Sequence, residues 1–160
     1  MLFTLETIGL CLLFYWICWS STGTDEKNIK SFRSYPDEVQ KMLREDPVLR
    51  DKIKEPSLGA VFLSNVVLFS VILLPFGISV SKDGFILNFL NMLIMGQCIN
   101  AFDLIMDLIW FRHSKRTRFE GTKDQDALYQ DPKNHIKAFL RGILAFIVVA
   151  IVDGFVLSLF

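Results

Sequence analysis

The residues able to do chemistry concentrate in one stretch, INAFDLIMDLIWFRHSKR, from Ile99 to Arg116. Asn100, Asp103 and Asp107 read N-x-x-D-x-x-x-D inside a run of Leu, Ile, Met and Phe, and Arg112, His113, Lys115, Arg116 and Arg118 follow at once. At 100° per residue, Gly96, Asn100, Asp103 and Asp107 fall within an arc of about 60° on one helix. Phe89 and Phe85 continue that face. A stripe polar at one end and closed by aromatics at the other is the pattern of a pocket open on one side. In a membrane each aspartate costs roughly 2.5–3.5 kcal/mol to insert. Both must therefore face other helices or a wet cavity.

Three chemistries suit this pattern. The aspartates can act as glue, paired with Arg112, His135, Lys137 or Arg141. They can form a binding or transport site for a cation, a proton or an amine. Or Asn100, Asp103 and Asp107 can share a hard cation such as Mg²⁺, with the neighbouring cations holding phosphate oxygens. That arrangement would suit a metal-dependent enzyme acting on a phospholipid or an isoprenoid phosphate. The N-x-x-D-x-x-x-D spacing resembles the first aspartate-rich motif of the UbiA-type membrane prenyltransferases. The resemblance covers eight residues. Ala101 stands where that motif has a second acid, no second motif is visible, and the chain is shorter than that fold. The candidate ligand set is Asn100, Asp103, Asp107, Arg112, His113, His135 and Arg141, with Asp103 and Asp107 as the metal ligands. The two histidines sit at two helix ends that could approach each other. The basic cluster also has a plainer role, marking the cytoplasmic end of a helix.

A second polar layer comprises Glu6, Lys82 and Asp153. Glu6 and Asp153 lie at similar depth from the two chain ends, so a Glu6–Lys82 or Asp153–Lys82 pair is expected, or a shared proton. The apolar stretch between the two layers argues against a continuous path. Cys11, Cys18 and Cys98 all lie in apolar runs without metal or redox spacing and read as packing residues.

The elements that must position these groups are long apolar helices. Over half of the chain (52%) is apolar, in blocks of spanning length rather than in amphipathic periods. Formal net charge is zero, so no attraction to nucleic acid is expected. Four spans are predicted, at about 2–19, 58–80, 85–111 and 142–160. The first lacks the basic flank and cleavage site of a secretory leader and is expected to be retained. The turn SKDG joins the second and third into a hairpin. Of the Lys and Arg residues, all but Lys82 lie in segments 20–57 and 112–141. The positive-inside rule makes these segments cytoplasmic and puts both termini and the 81–84 turn outside.

YPDEVQKMLRED predicts a short amphipathic helix, with Pro36 at its first position and Val39, Met42 and Leu43 on one face. DPVLRDKI repeats the logic with Asp46 as cap. Both are expected to lie against the membrane or the bundle. Asp131 and Pro132 start a fourth helix running to Phe160. Ala138-x-x-x-Gly142 and Ala150-x-x-x-Gly154 allow close helix approach, within the chain, in a homodimer, or against a partner membrane subunit. Pro75 predicts a kink in the second span. The expectation is an all-α, integral membrane four-helix bundle with short amphipathic cytoplasmic helices, placed in the plasma membrane. Its function is expected to reside in a cytoplasm-facing polar pocket that binds a cation or a phosphate-bearing lipid. An accessory subunit of a larger membrane complex is the other class.

Overall fold

A computed structural model describes residues 1–159. The described elements are all helical. Four are long and apolar enough to cross a membrane: Leu2–Ser20, Leu58–Ser79, Phe85–Phe111 and Asp126–Leu157. Within the last, the continuous α-helix is Lys133–Leu157. The α-helices in chain order are α1 (Leu2–Ser20), α2 (Asp25–Asn28), α3 (Asp37–Glu45), α4 (Leu58–Ser79), α5 (Phe85–Met106) and α6 (Lys133–Leu157). The chain divides into two compact units.

The first unit comprises Met1–Tyr15, Pro56–Phe102 and Phe139–Phe160. Its core is apolar and tightly closed: Leu10, Leu73, Met92, Met95, Ile99, Val149 and Ala150 have almost no exposed surface. Glycines set the spacing between α5 and α6. A Cβ at Gly154 would lie 2.8 Å from the Phe89 backbone, and one at Gly142 would strike the Asn100 amide. Gly142 and Gly154 of the two small-residue motifs are thus used inside this unit. The outward faces are apolar as well, with Leu63, Val71, Ile86, Leu144 and Phe155 more than half exposed. Helices apolar all round belong in a large core or a bilayer. Pro75 lies inside α4, which continues past it to Ser79.

The turn between α4 and α5 is held by side chains. Asn88 accepts from the Lys82 backbone N–H and donates to the Lys82 carbonyl, both at 2.8 Å, and Asn91 donates to the Val80 carbonyl. Gly84 supplies the left-handed backbone (φ +88°) that the turn needs.

The second unit comprises Trp16–Glu55 and Asp103–Ala138. Tyr35 is its centre, fully buried, with the rings of Phe111, Phe119 and Tyr129 at 5.2, 5.0 and 6.1 Å. The Tyr35 hydroxyl donates to the Thr117 carbonyl at 2.6 Å, and the Thr117 hydroxyl donates to the Phe111 carbonyl. Asn28 donates to the carbonyls of Arg116 and Arg118, tying two segments about ninety residues apart. Asn134 donates to the Tyr35 carbonyl and to Asp37.

These contacts decide where α3 lies. Val39 and Leu43 of α3 are buried in this unit's own core with Tyr35 and Phe111, so that face is not free to lie on a bilayer; Met42 stays exposed. Pro36 is the residue before α3, not its first. Asp46 caps as expected, accepting from Val48 and Leu49, but only a 3₁₀ turn, Arg50–Lys52, follows. Asp131 accepts from the Lys133 backbone N–H, and the Pro132 carbonyl accepts from Ile136, so α6 starts where its capping residues predict. It ends at Leu157; Phe160 lies outside the described residues.

Candidate functional site

α5 changes character at Asp107. Beyond Met106 the helix opens into a π turn, Asp107–Phe111, with the Arg112 N–H reaching back five residues to the Asp107 carbonyl at 3.2 Å. Such turns are rare and concentrate at functional sites. Opposite, in the first turns of α6, stands His135, with 1% of its surface exposed. Its Nδ1 lies 2.6 Å from Asp107 Oδ2. Where a carboxylate faces an imidazole nitrogen it only accepts, and in that arrangement Nδ1 is the donor. The Phe111 ring packs edge-on at 5.1 Å and fixes the imidazole plane. His135 Nε2 is also buried and has no hydrogen-bond partner. Asp103, one turn earlier, is close enough to act electrostatically on both Asp107 and His135. Cys18 of α1 is close enough to feel both aspartates.

The result is a carboxylate-held imidazole whose second nitrogen is free, flanked by another carboxyl group. It can accept a hydrogen bond or a proton, or coordinate a cation. Among the described residues, however, no three His, Cys, Asp or Glu side chains gather into a metal-ligating group. Asp107 already commits one oxygen to His135. Mg²⁺ demands near-octahedral oxygen coordination. Asp103 and Asp107 alone do not make a protein cage for it.

The remaining members of the predicted set have other employment. Asn100 belongs to the first unit, where it is buried and donates to the Phe139 carbonyl of α6 at 3.2 Å and to Gln97. It is a tie between helices. Arg112 turns to the Gln130 carbonyl and side chain rather than to Asp107. His113 and Arg141 are exposed, so the two histidines do not form one buried pair. Arg116 donates to the Trp19 carbonyl and the Thr22 hydroxyl and lies 4.4 Å above the Trp19 ring. Its guanidinium packs against Gly23, whose φ of +110° and lack of a Cβ admit it. Arg118, 3% exposed, is bound by the Lys123 carbonyl and by Asp126 and lies over Tyr129. Lys115 pairs with Asp124 on the surface. Four cations offered by the sequence as phosphate ligands are therefore spent on their own unit.

Outside the long helices the electrostatics are structural. Hydrogen bonding from Asn134 and then Lys133 holds the Asp37 carboxyl below the usual aspartate range. Lys115 does the same for Asp124, and Lys52 for Glu26. Burial pushes the Tyr35 hydroxyl well above the ordinary tyrosine value.

The second polar layer also differs from expectation. Neither Glu6 nor Asp153 pairs with Lys82. The Lys82 backbone is clamped in an exposed turn by Asn88. Asp153 instead faces Ser70 of α4, which lies nine residues, about 13.5 Å, from Ser79 at the end of that helix. Asn88 and Asn91 lie off the polar stripe. Their only sequence signal is an asparagine repeated just after a Gly turn.

This geometry defines a helical protein with four apolar helices of spanning length and a buried Asp–His pair. No family model matches the chain, and neither a curated protein nor a solved structure matches it. The likeness to the prenyltransferase motif thus stays at eight residues.

Proposed function

We propose that the chain is a multi-pass membrane protein that binds a small cationic, hydrogen-bond-donating ligand, such as a protonated amine, at Asp103, Asp107 and His135. One observation carries this reading: His135 is buried with Nδ1 held by Asp107 and Nε2 left unpartnered. Asp103, Asp107 and the free Nε2 are acceptors. The ligand that completes them brings donors and positive charge. A phosphate-bearing lipid fits less well, because Arg112, Arg116, Arg118 and Lys115 are already engaged. The distribution of Lys and Arg supports a topology with segments 20–57 and 112–141 cytoplasmic and both termini outside, in the plasma membrane. The site then lies towards the cytosolic side.

The test uses the full chain in lipid nanodiscs and a panel of primary amines, with MgCl₂ and inorganic phosphate as comparison probes. A ligand at a hundred times its Kd stabilises by about 2.7 kcal/mol. We expect an amine to raise the melting temperature, and the rise to vanish in Asp107→Asn and His135→Gln. No shift with any amine, or a shift that survives both substitutions, refutes the reading. A response to MgCl₂ with phosphate, and not to amines, would replace it with the metal-dependent enzyme.

A further inference from the structure

We infer that Asp153 and Ser70 form an exchangeable site for a single inorganic cation, a proton or a sodium ion, inside the four-helix unit. The inference does not rest on the Asp107–His135 site. Asp153 has no exposed surface, and Ser70 is more than nine-tenths buried. They face one another across α6 and α4, the Ser70 hydroxyl within reach of the Asp153 carboxyl, and neither Asp153 oxygen nor the Ser70 hydroxyl has a further hydrogen-bond partner. Three polar oxygens thus lie together in one apolar core, and a single hydroxyl hydrogen is all they have to share. A buried ionised carboxylate requires a compensating positive charge, and polar atoms left unsatisfied in a core are the exception in native proteins.

Among the described residues the unit brings no cation of its own to the pair. α4 carries no charged residue from Leu58 to Ser79, and α5 carries none from Phe85 to Phe102. On α1 the one charged side chain is Glu6, which has the wrong sign. On α6 the other charged residue of this unit is Arg141, twelve positions away, about 18 Å along the axis, and exposed. Lys82 forms no ion pair with Asp153. The surroundings that act on the carboxyl are its own burial and the Ser70 hydroxyl. The compensating charge therefore comes from outside the chain. A proton converts the carboxyl into a donor towards Ser70 Oγ. A sodium ion takes the carboxylate and hydroxyl oxygens as ligands. Both satisfy the same oxygens. The pattern also follows the rule that ionisable groups within apolar spans mark ion or proton sites.

The experiment uses dicyclohexylcarbodiimide, which modifies protonated carboxyl groups in apolar surroundings, on the full chain in detergent micelles. Modification of each carboxyl is read by peptide mass spectrometry, so Asp103, Asp107 and Glu6 are separated from Asp153. In choline buffer at mildly acidic pH we expect Asp153 to be modified. Loss of modification as pH rises, with no effect of NaCl, assigns the proton. Loss on adding NaCl but not KCl at fixed pH assigns sodium. Ser70→Ala is expected to move the pH midpoint in the first case and weaken the protection in the second. The inference is overturned if Asp153 resists modification at every pH without sodium. It is equally overturned if Asp153 is modified alike at all pH and salt values, or if Ser70→Ala moves neither profile. The primary readout is on the native chain, so it does not depend on whether Asp153→Asn folds.

Discussion

A double-mutant cycle on Asp107 and His135 tests whether the pair is a built unit or two neighbours. The bond is short, 2.6 Å, and its imidazole end is 1% exposed while the carboxylate end is 20% exposed. A hydrogen bond to a charged group contributes about 1.5–3 kcal/mol when buried, and the partly wet carboxylate puts this one in the lower half of that range. Asp107→Ala leaves a buried N–H without an acceptor. His135→Ala removes the same bond and opens a cavity against Phe111, so it should cost more, about 2–5 kcal/mol by analogy with other large-to-small changes. If the bond is real, the double variant loses it only once. Its cost then falls short of the sum of the single costs by about 1.5–2 kcal/mol, roughly a factor of 10–30 in the unfolding equilibrium. Asp107→Asn keeps an acceptor but not the charge, and should retain about half of the coupling. Reversible unfolding of the full chain in mixed micelles, followed by circular dichroism, gives the four free energies. Additivity within about 0.3–0.5 kcal/mol would show that the two residues do not interact. The oriented imidazole, and the binding site built on it, would fall together.

Tyr35→Phe removes the donor to the buried Thr117 carbonyl and should destabilise the second unit by about 1–3 kcal/mol in the same assay. Gly154→Ala forces a Cβ against the Phe89 backbone and should cost about 1–3 kcal/mol. Gly59→Ala meets no atom within 4 Å and should be neutral or gain up to about 1 kcal/mol of helix propensity. The Asp37 carboxyl is held below its unfolded value, so its contribution is present above the ordinary aspartate range and is lost as pH falls through the lower folded value. Melting temperature measured against pH should therefore drop on the acid side, and drop less steeply in Asp37→Asn. In a background without native cysteines, Asp83→Cys should react with a membrane-impermeant maleimide added outside intact cells. Asp124→Cys should react only after permeabilisation, and the reverse would invert the proposed topology.

The long helices were legible because hydropathy alone determines them. Leu58–Ser79 and Phe85–Phe111 match the predicted spans within one residue, and Asp131 with Pro132 marks the start of α6. The second unit was not legible. Tyr35, Phe111, Phe119 and Tyr129 share no period and are separated by up to ninety-four positions, so no window shows that they meet. Arg118 looked like a free cation because burial of an arginine depends on acceptors such as the Lys123 carbonyl, which a sequence does not display. His135 was one of four partners open to the aspartates. Choosing it over Arg112 depended on the π turn at Asp107, which changes the phase of the helix just where the charges begin. Apolar periodicity cannot register one added residue per turn.

These features bear on what each polar site can bind. In the second unit Arg112, Lys115, Arg116 and Arg118 are taken up by backbone carbonyls, a hydroxyl and acids of the following loop, while His135 beside Asp107 keeps one buried nitrogen unpartnered. In the first unit Asp153 and Ser70 are surrounded by helices that carry no cation near them. Neutral overall composition therefore hides two local deficits of positive charge. A chain selected for anionic ligands would leave arginines free and satisfy its acids. This one commits Arg112, Arg116 and Arg118 and leaves Asp153 and one imidazole nitrogen without a cation of their own, which supports the proposed cationic ligands at both places.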